Sequence, residues 1–297
     1  MRHWMGVVRA LMAAGALALA GCAPTPSPDA TGEPALWRIT DADSEIWLFG
    51  SVHVLPPALD WRGPRFEAAF AAAEELVTET DVGASDYAAL VSRYGRLPDG
   101  APDLGARLSD AERSQLGRVA QTLRIAPESF NRDRPWFAAV RLSFAYAIAQ
   151  GHAPEAGVEN VLVPQARAAG KRISFLETTE QQIRTLADLP ADDELRFLTV
   201  TLRQIEHEAE SLDATDALWV RGDVAELGRQ LDAQMAEAGP EVMDAIITRR
   251  NEAWTIEIER RLAGSGRIFY AVGAAHLAGA HSVVAMLRAR GVTVEGP

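Results

Sequence analysis

Apolar positions recur along the chain with two different periods. Leu36–Thr40 and Glu45–Val52 are β-like runs around the turn-rich Asp41-Ala42-Asp43-Ser44, which predicts a hairpin whose second strand ends at Gly50. Pro64–Ala73 reads as a helix with proline at its start, and Glu75–Thr80 as a short strand. Residues 81–108 carry no clear period. From about Ser109 to Leu262 the spacing is mainly helical, opening on Ser109-Asp110-Ala111-Glu112, the pattern of a capping box. Arg134–Gln150, Val158–Ala169, Ala191–Ala209, Val224–Met235 and Glu241–Leu262 are the predicted helices. One β-like run, Arg172–Leu176, interrupts them after Gly170. Arg267–Val272 is again a strand, followed by a Gly-rich turn, a helix over about Ala280–Arg290, and a last short strand at Val292–Glu295.

Strands at both ends and at one point of the middle predict the α/β class. The expected architecture is a small, mostly parallel (mixed) β-sheet flanked by helices, with a large helical insertion over about 109–262. Long connections make most of its strand pairs parallel crossovers.

The start of the chain follows neither period. Arg2, His3 and Arg9 precede an apolar run, Ala10–Ala20, that is too short for a permanent span. It ends Leu19-Ala20-Gly21-Cys22, the lipobox of a bacterial lipoprotein signal, with the chain's only cysteine at the acceptor position. Residues 1–21 are therefore expected to be a signal peptide, Cys22 the lipidated residue, 22–34 a Pro/Ser/Thr/Gly-rich tether, and 35–297 the folded domain. The plainer alternative is an ordinary signal peptide cut near Gly21, with Cys22 incidental. Ala23 resembles the residue after the cysteine in lipoproteins sent to the outer membrane. The expected location is the cell envelope, lipid-anchored and facing the periplasm. Lipid supplies the attachment, so no basic patch is needed.

Composition changes the picture only by exclusion. The 48% hydrophobic and 24% charged residues are those of a globular protein, not of a disordered or collagen-like chain. Forty-one acids against 29 Lys and Arg give a net charge of −12, which argues against nucleic acid as a partner. One cysteine excludes an internal disulfide and a Cys₄ or Cys₂His₂ zinc site. There is no HExxH, GxSxG or Walker sequence.

Two stretches match each other. Residues 46–53 read IWLFGSVH and 269–276 read FYAVGAAH, each an apolar strand followed by Gly-x-x-His. Glycine permits a tight turn or close backbone approach at a strand's carboxyl end, the rim where open α/β sheets bind ligands. If the two strands are neighbours, Gly50 and Gly273 bring His53 and His276 together. Imidazoles suit Mn, Zn, Fe or Co, and a carboxylate completes such a site; Glu79, at the end of ELVTE, is the candidate. The bland alternatives are two hydrogen-bonded core histidines and a solvated strand-end acid.

The same stretches carry a family resemblance. LWRITDADSEIWLFGSVHVLPP (36–57), ELVTETD (75–81), RPWFAAV (134–140), GVENVL (157–162), FLETTEQQ (175–182), RRNEAW (249–254) and YAVGAAHLAG (270–279) resemble, in order, the TraB/GumN family. That family is related to the TIKI metalloproteases and, more distantly, to erythromycin-esterase and ChaN-like proteins. The resemblance covers about Leu36 to the C-terminus. It implies that the two GxxH motifs and Glu79 form the active site. It also implies a divalent metal, Mn or Co before Zn or Fe, held by His53, His276 and Glu79, with a water made acidic by the cation as nucleophile. Within the same blocks, Glu177 is a candidate ligand or general base, and Arg250 a candidate oxyanion or carboxylate partner, with Asn251 beside it. Glu159 stands where many relatives carry Asp, and Gln181 follows Glu177 by one turn. The structural alternatives are a helix-start carboxylate for Glu177 and a pairing of Arg250 with Glu159 or Glu177. Trp136 reads as a core anchor, His281 as a possible buttress of His276, and His152 and His207 as solvated.

Three functions compete. The first is a metal-dependent, peptidase-like hydrolase of a peptide or other amide or ester substrate at the envelope. The second is a non-catalytic lipoprotein that binds haem, metal or a peptide. The third is an accessory factor for envelope or exopolysaccharide assembly.

Overall fold

The computed structural model describes residues 32–81, 83–207 and 211–297. The expected signal peptide, Cys22 and most of the tether lie outside the described residues. The elements in chain order are β1 (Leu36–Thr40), β2 (Ser44–Ser51), α1 (Pro64–Ala72), β3 (Glu75–Thr78), α2 (Tyr87–Tyr94), α3 (Asp110–Thr122) and α4 (Pro135–Ala149). There follow α5 (Val158–Ala168), β4 (Arg172–Phe175), α6 (Thr179–Ala187), α7 (Ala191–His207), α8 (Ser211–Val220) and α9 (Val224–Ala238). The last are α10 (Pro240–Met243), a π-helical turn (Asp244–Thr248), α11 (Arg249–Leu262), β5 (Gly266–Gly273) and α12 (Val283–Ala289).

The sheet order is β1-β2-β5-β3-β4. Only β1 runs antiparallel, in the expected hairpin with β2; the other pairs are parallel. The two matching strands are neighbours, with Gly50 opposite Val272 and Ser51 opposite Gly273. Thr78 of β3 stands opposite Ala271, so Glu79 leaves the sheet at the same edge.

Both faces of the sheet are covered, which is why its strands read as apolar runs rather than alternating ones. Trp47, Phe49, Leu76 and Phe269 pack against α1, α5 and Trp219 of α8. Phe66 of α1 lies at the middle of an aromatic cluster, 4.8 Å from Phe49, 5.0 Å from Trp61 and 5.4 Å from Phe269, ring centre to ring centre. On the other face Ile46, Leu48, Ile268 and Tyr270 meet Trp254 and Ile258 of α11 and the apolar side of α12. A third core, with no strand residue, joins α2, α3, α4, α6, α7 and α9 around Trp136 and Phe130, both fully buried. This core draws on α2 as well as on much of the expected insertion, whose α5, α8 and α11 pack on the sheet instead; Trp136 anchors it.

Several elements differ from the sequence reading. Val292–Glu295 is not a strand: a single antiparallel bridge joins Arg38 and Glu295, each N–H donating to the other's carbonyl at 2.9 Å. Positive φ at Gly291 and Gly296 (86° and 123°) turns the chain on both sides and leaves one residue in register with β1. The last helix starts at Val283, where the Ser282 hydroxyl caps it; residues 274–276 form a tight 3₁₀ turn. The long helix over 241–262 is broken by the π turn. Three helices, α6, α8 and α2, have no counterpart in the sequence reading. The first was signalled by Thr178 and Gln181, which form a reciprocal capping box. The box at Ser109 and Glu112 forms as expected. Among the described residues no helix is long and apolar enough to cross a membrane.

Because Phe66 is locked among rings on every side, Phe66→Ala should lower unfolding free energy by about 3–5 kcal/mol, measured by urea denaturation.

Candidate active site

Three strand ends build the site. Gly50 leads out of β2 so close to β5 that an added Cβ would lie 3.0 Å from the Ala274 Cα. The Trp219 indole N–H donates to the Gly50 carbonyl at 2.7 Å and pins α8 over the turn. Gly273 marks the meeting point: a Cβ there would sit 3.0 Å from Glu79 Oε1 and 3.5 Å from both His53 Nε2 and His276 Cδ2. The sheet's pairing continues one step past β3 and β4, where the Glu177 N–H donates to the Glu79 carbonyl at 2.9 Å. That sets the two glutamates side by side.

Each histidine is oriented through its Nδ1. The chain after β2 is clamped by α5, whose Val158 N–H donates to the Val52 carbonyl at 3.0 Å. Gly157 lies so close that any Cβ would collide with the His53 carbonyl. This docking brings Glu159 to His53 Nδ1 at 3.0 Å, while the Ser51 hydroxyl donates to the same carboxylate. His276 Nδ1–H donates to Asn251 Oδ1 at 2.6 Å, and Asn251 is itself fixed by donating to the His281 carbonyl at 2.7 Å. His281 therefore buttresses the site through its backbone; its side chain is exposed. The Trp254 ring lies 4.4 Å from the His276 ring.

Arg250, one turn before Trp254 on α11, joins the pieces. Its Nη2 donates to Glu79 Oε2 at 2.5 Å and to Glu177, its Nε to Glu177 at 3.2 Å, and its Nη1 to His276 Nε2 at 3.0 Å. The guanidinium also stacks 4.6 Å from the Trp254 ring. Glu79 accepts two further bonds, from the Gly273 N–H at 2.7 Å and the Gln182 amide at 3.1 Å.

The electrostatics follow from these contacts. Burial alone would raise the Glu79 carboxyl, but Arg250, the two histidines and the Gly273 N–H bring it down to about 2. Burial and the adjacent Arg250 push His276 down to about 3, so the ring is neutral, with its Nε2 lone pair facing Arg250. For His53, burial is outweighed by Glu159, and its proton is held more tightly than usual. Burial holds the Glu177 carboxyl above its ordinary value despite Arg250.

The residues expected at the site thus fall into two groups. His53, His276, Glu79, Glu177, Arg250, Asn251, Glu159, Gly50 and Gly273 are brought together. Gln181 is not: its side chain accepts the Thr178 N–H at the helix start and is exposed. Its neighbour Gln182 points inward instead, because one residue along α6 rotates the side chain by about 100°, from the exposed to the buried face. His152 is not solvated. It is buried, with Nε2 at 2.7 Å from Asp216 Oδ2 of α8, because the Leu55–Ala153 bridge draws its loop inward. His207 is exposed. Ser51, Gln182 and Trp254 escaped the sequence reading. Only Trp254 had a signal, four residues after Arg250 on one helix face.

The donor chemistry suits a divalent cation. Two imidazoles with Nδ1 engaged by an outer acceptor present Nε2 inward, beside a carboxylate. Among the described residues, however, no three His, Cys, Asp or Glu side chains already converge as a cation cage. Arg250 uses the His276 and Glu79 lone pairs, and an ion there would have to displace those contacts.

The TraB/PrgY/gumN family model matches residues 35–296, and the chain belongs to that family. The uncharacterised protein YbaP of Escherichia coli (strain K12) is 27% identical over 86% of this chain and 92% of its own length. YbaP of Shigella flexneri is 28% identical over the same shares. No solved structure matches the chain.

Two outcomes follow. Arg250→Met leaves Glu79 and Glu177 facing each other without a counter-charge and should lower stability by about 3–5 kcal/mol, measured by chemical denaturation. Adding Glu177→Gln should recover part of that loss. At the other pair, burial opposes protonation of His152, but Asp216, helped by Asp213, raises the ring above its ordinary 6.5. The favoured form is the protonated one, so its stabilisation is complete below pH 6.5 and fades as pH rises through the folded value. The melting-temperature gap between the parent and His152→Asn should therefore be larger at pH 6 than at pH 8.5.

Proposed function

We propose that this TraB/PrgY/gumN family member is a metal-dependent hydrolase of a peptide or another amide or ester, held at the bacterial cell envelope by lipid on Cys22. The tether would let the domain face the periplasm from the outer membrane. The observation that carries the reading is the convergence of His53, His276 and Glu79 at the ends of three strands, with Nδ1 of each histidine fixed by Glu159 or Asn251. A structural role needs no such matched orientation of two rings.

His53, His276 and Glu79 would hold the cation, Mn or Co before Zn or Fe. When bound, the ion supplies a charge that polarises a carbonyl and makes water more acidic. The chain supplies the rest. Glu177, whose proton affinity is raised by its surroundings, takes the proton from the attacking water. Arg250, released from Glu79 and His276, turns its Nη atoms toward the developing oxyanion. Glu159 and Asn251 keep the two rings in register with the reacting group.

A second reading is favoured by one observation: Arg250 already answers both carboxylates. Carboxylates already neutralised by an arginine suit a lipoprotein that captures haem or a peptide without turnover; capture of a metal, the other form of this reading, would require Arg250 to move aside. An accessory role in envelope or exopolysaccharide assembly has no feature of its own to support it.

Calorimetric titration of Mn²⁺, Co²⁺ and Zn²⁺ into residues 23–297 separates these readings. The hydrolase reading expects one saturable site, lost in His53→Ala and His276→Ala, and hydrolysis of peptide or ester substrates only with metal. No binding, or unchanged binding in both variants, sinks it.

A further inference from the structure

Above the charged floor lies a cavity of about 150 Å³ whose walls reach well beyond the residues that would handle the reaction. Phe144 of α4, Leu227 and Leu231 of α9, Ile247 of the π turn and Trp219 give it an apolar lining. An apolar-walled space of that size takes a guest about as large as benzene.

Most of the polar side chains in that wall already have partners within the protein. The Ser143 hydroxyl donates to the Ala139 carbonyl at 3.0 Å, the Gln230 amide donates to Glu226 at 2.9 Å, and His152 is paired with Asp216. Gln234 differs. It lines the cavity, is only 5% exposed, and its carboxamide makes no hydrogen bond with any described residue. It stands on the same face of α9 as Leu231 and Leu227, so the apolar wall surrounds it. A carboxamide that faces a cavity without a protein partner is free to bond a guest. A primary carboxamide offers both a donor and an acceptor. A secondary amide offers the matching pair, one C=O and one N–H.

We propose that this cavity is the recognition pocket for one uncharged apolar side chain of leucine or phenylalanine size carried on an amide, and that Gln234 pairs with that amide. The substrate class is then a peptide or N-acyl amide with such a residue beside the reacting carbonyl. A charged side chain is rejected because the wall holds no free counter-charge to pair with it. Glycine is rejected because it leaves the space unfilled. This specificity rests on the hydrolase reading for its chemistry, though the pocket itself does not.

The test uses the full chain and measures binding apart from turnover. N-acetyl-leucinamide, N-acetyl-phenylalaninamide, N-acetyl-glycinamide, N-acetyl-aspartamide and benzene are titrated, with binding followed by ligand-observed NMR. The leucine and phenylalanine amides should bind roughly 10- to 100-fold tighter than the glycine amide, the span expected for burying one such side chain. Gln234→Leu should weaken N-acetyl-leucinamide about tenfold and leave benzene bound. Ala147→Leu, which fills the cavity from α4, should weaken every probe, with its melting curve confirming the fold. Equal binding of the glycine and leucine amides, or an unaffected Gln234→Leu, overturns the proposal. Hydrolysis of the matching peptides and esters, with and without Mn²⁺, is measured alongside. Selective binding without hydrolysis leaves the pocket standing and removes the hydrolase. Hydrolysis without side-chain preference does the reverse.

Discussion

The chemistry at the cavity floor depends on one enclosed guanidinium. Arg250 faces four acceptors at once, two carboxylates, an imidazole and the Ile246 carbonyl, and its own side chain is only 11% exposed. Charges placed in such a setting are costly to strand and modest in net value when paired. Removing Arg250 would turn Glu79 and Glu177 against each other. Keeping it holds Glu79 ionised, His276 neutral and both side chains in one geometry. Burial keeps the Glu177 carboxyl above its ordinary value despite Arg250, and Glu159 raises His53 against its burial.

The backbone around this floor is shaped by close approach rather than by unusual dihedral angles. Gly50, Gly157 and Gly273 all have ordinary backbone conformations, yet none has room for an ordinary Cβ without displacing a neighbour. The neighbours are Ala274, His53 and Glu79, so each glycine keeps a site residue, or the backbone next to one, in place. Precision here comes from missing atoms.

Much of this was legible in the chain. The β-runs and the two GxxH repeats located the sheet's central pair, and the ordered family blocks named most of the floor, including Arg250 and Asn251 at the far end of the helical insertion. What escaped depended on facing direction. Gln181 and Gln182 are adjacent, and without recognising α6 nothing tells which one looks inward; the capping box at Thr178 assigns Gln181 to the helix start. His152 sits in a Gly/Pro loop that reads as solvated, and only the bridge between Leu55 and Ala153 turns it toward Asp216. Ser51 gave no signal because its partner Glu159 lies more than a hundred residues away. Local pattern reveals periodicity and caps; contacts between distant loops leave no local mark.

The pairing of β2 with β5 also has a meaning in time. The centre of the sheet joins one of the first strands made to the last, and β3 too must wait for β5 to gain its inner neighbour. No growing N-terminal portion can close this sheet by itself, however well its helices form. The sheet's two aromatic and aliphatic faces stay incomplete until synthesis is nearly finished, and loop closure on that scale is slow. The strand ends that carry the floor can come together only once β5 has been made. An interrupted or C-terminally clipped copy would therefore carry one GxxH motif with nothing opposite it.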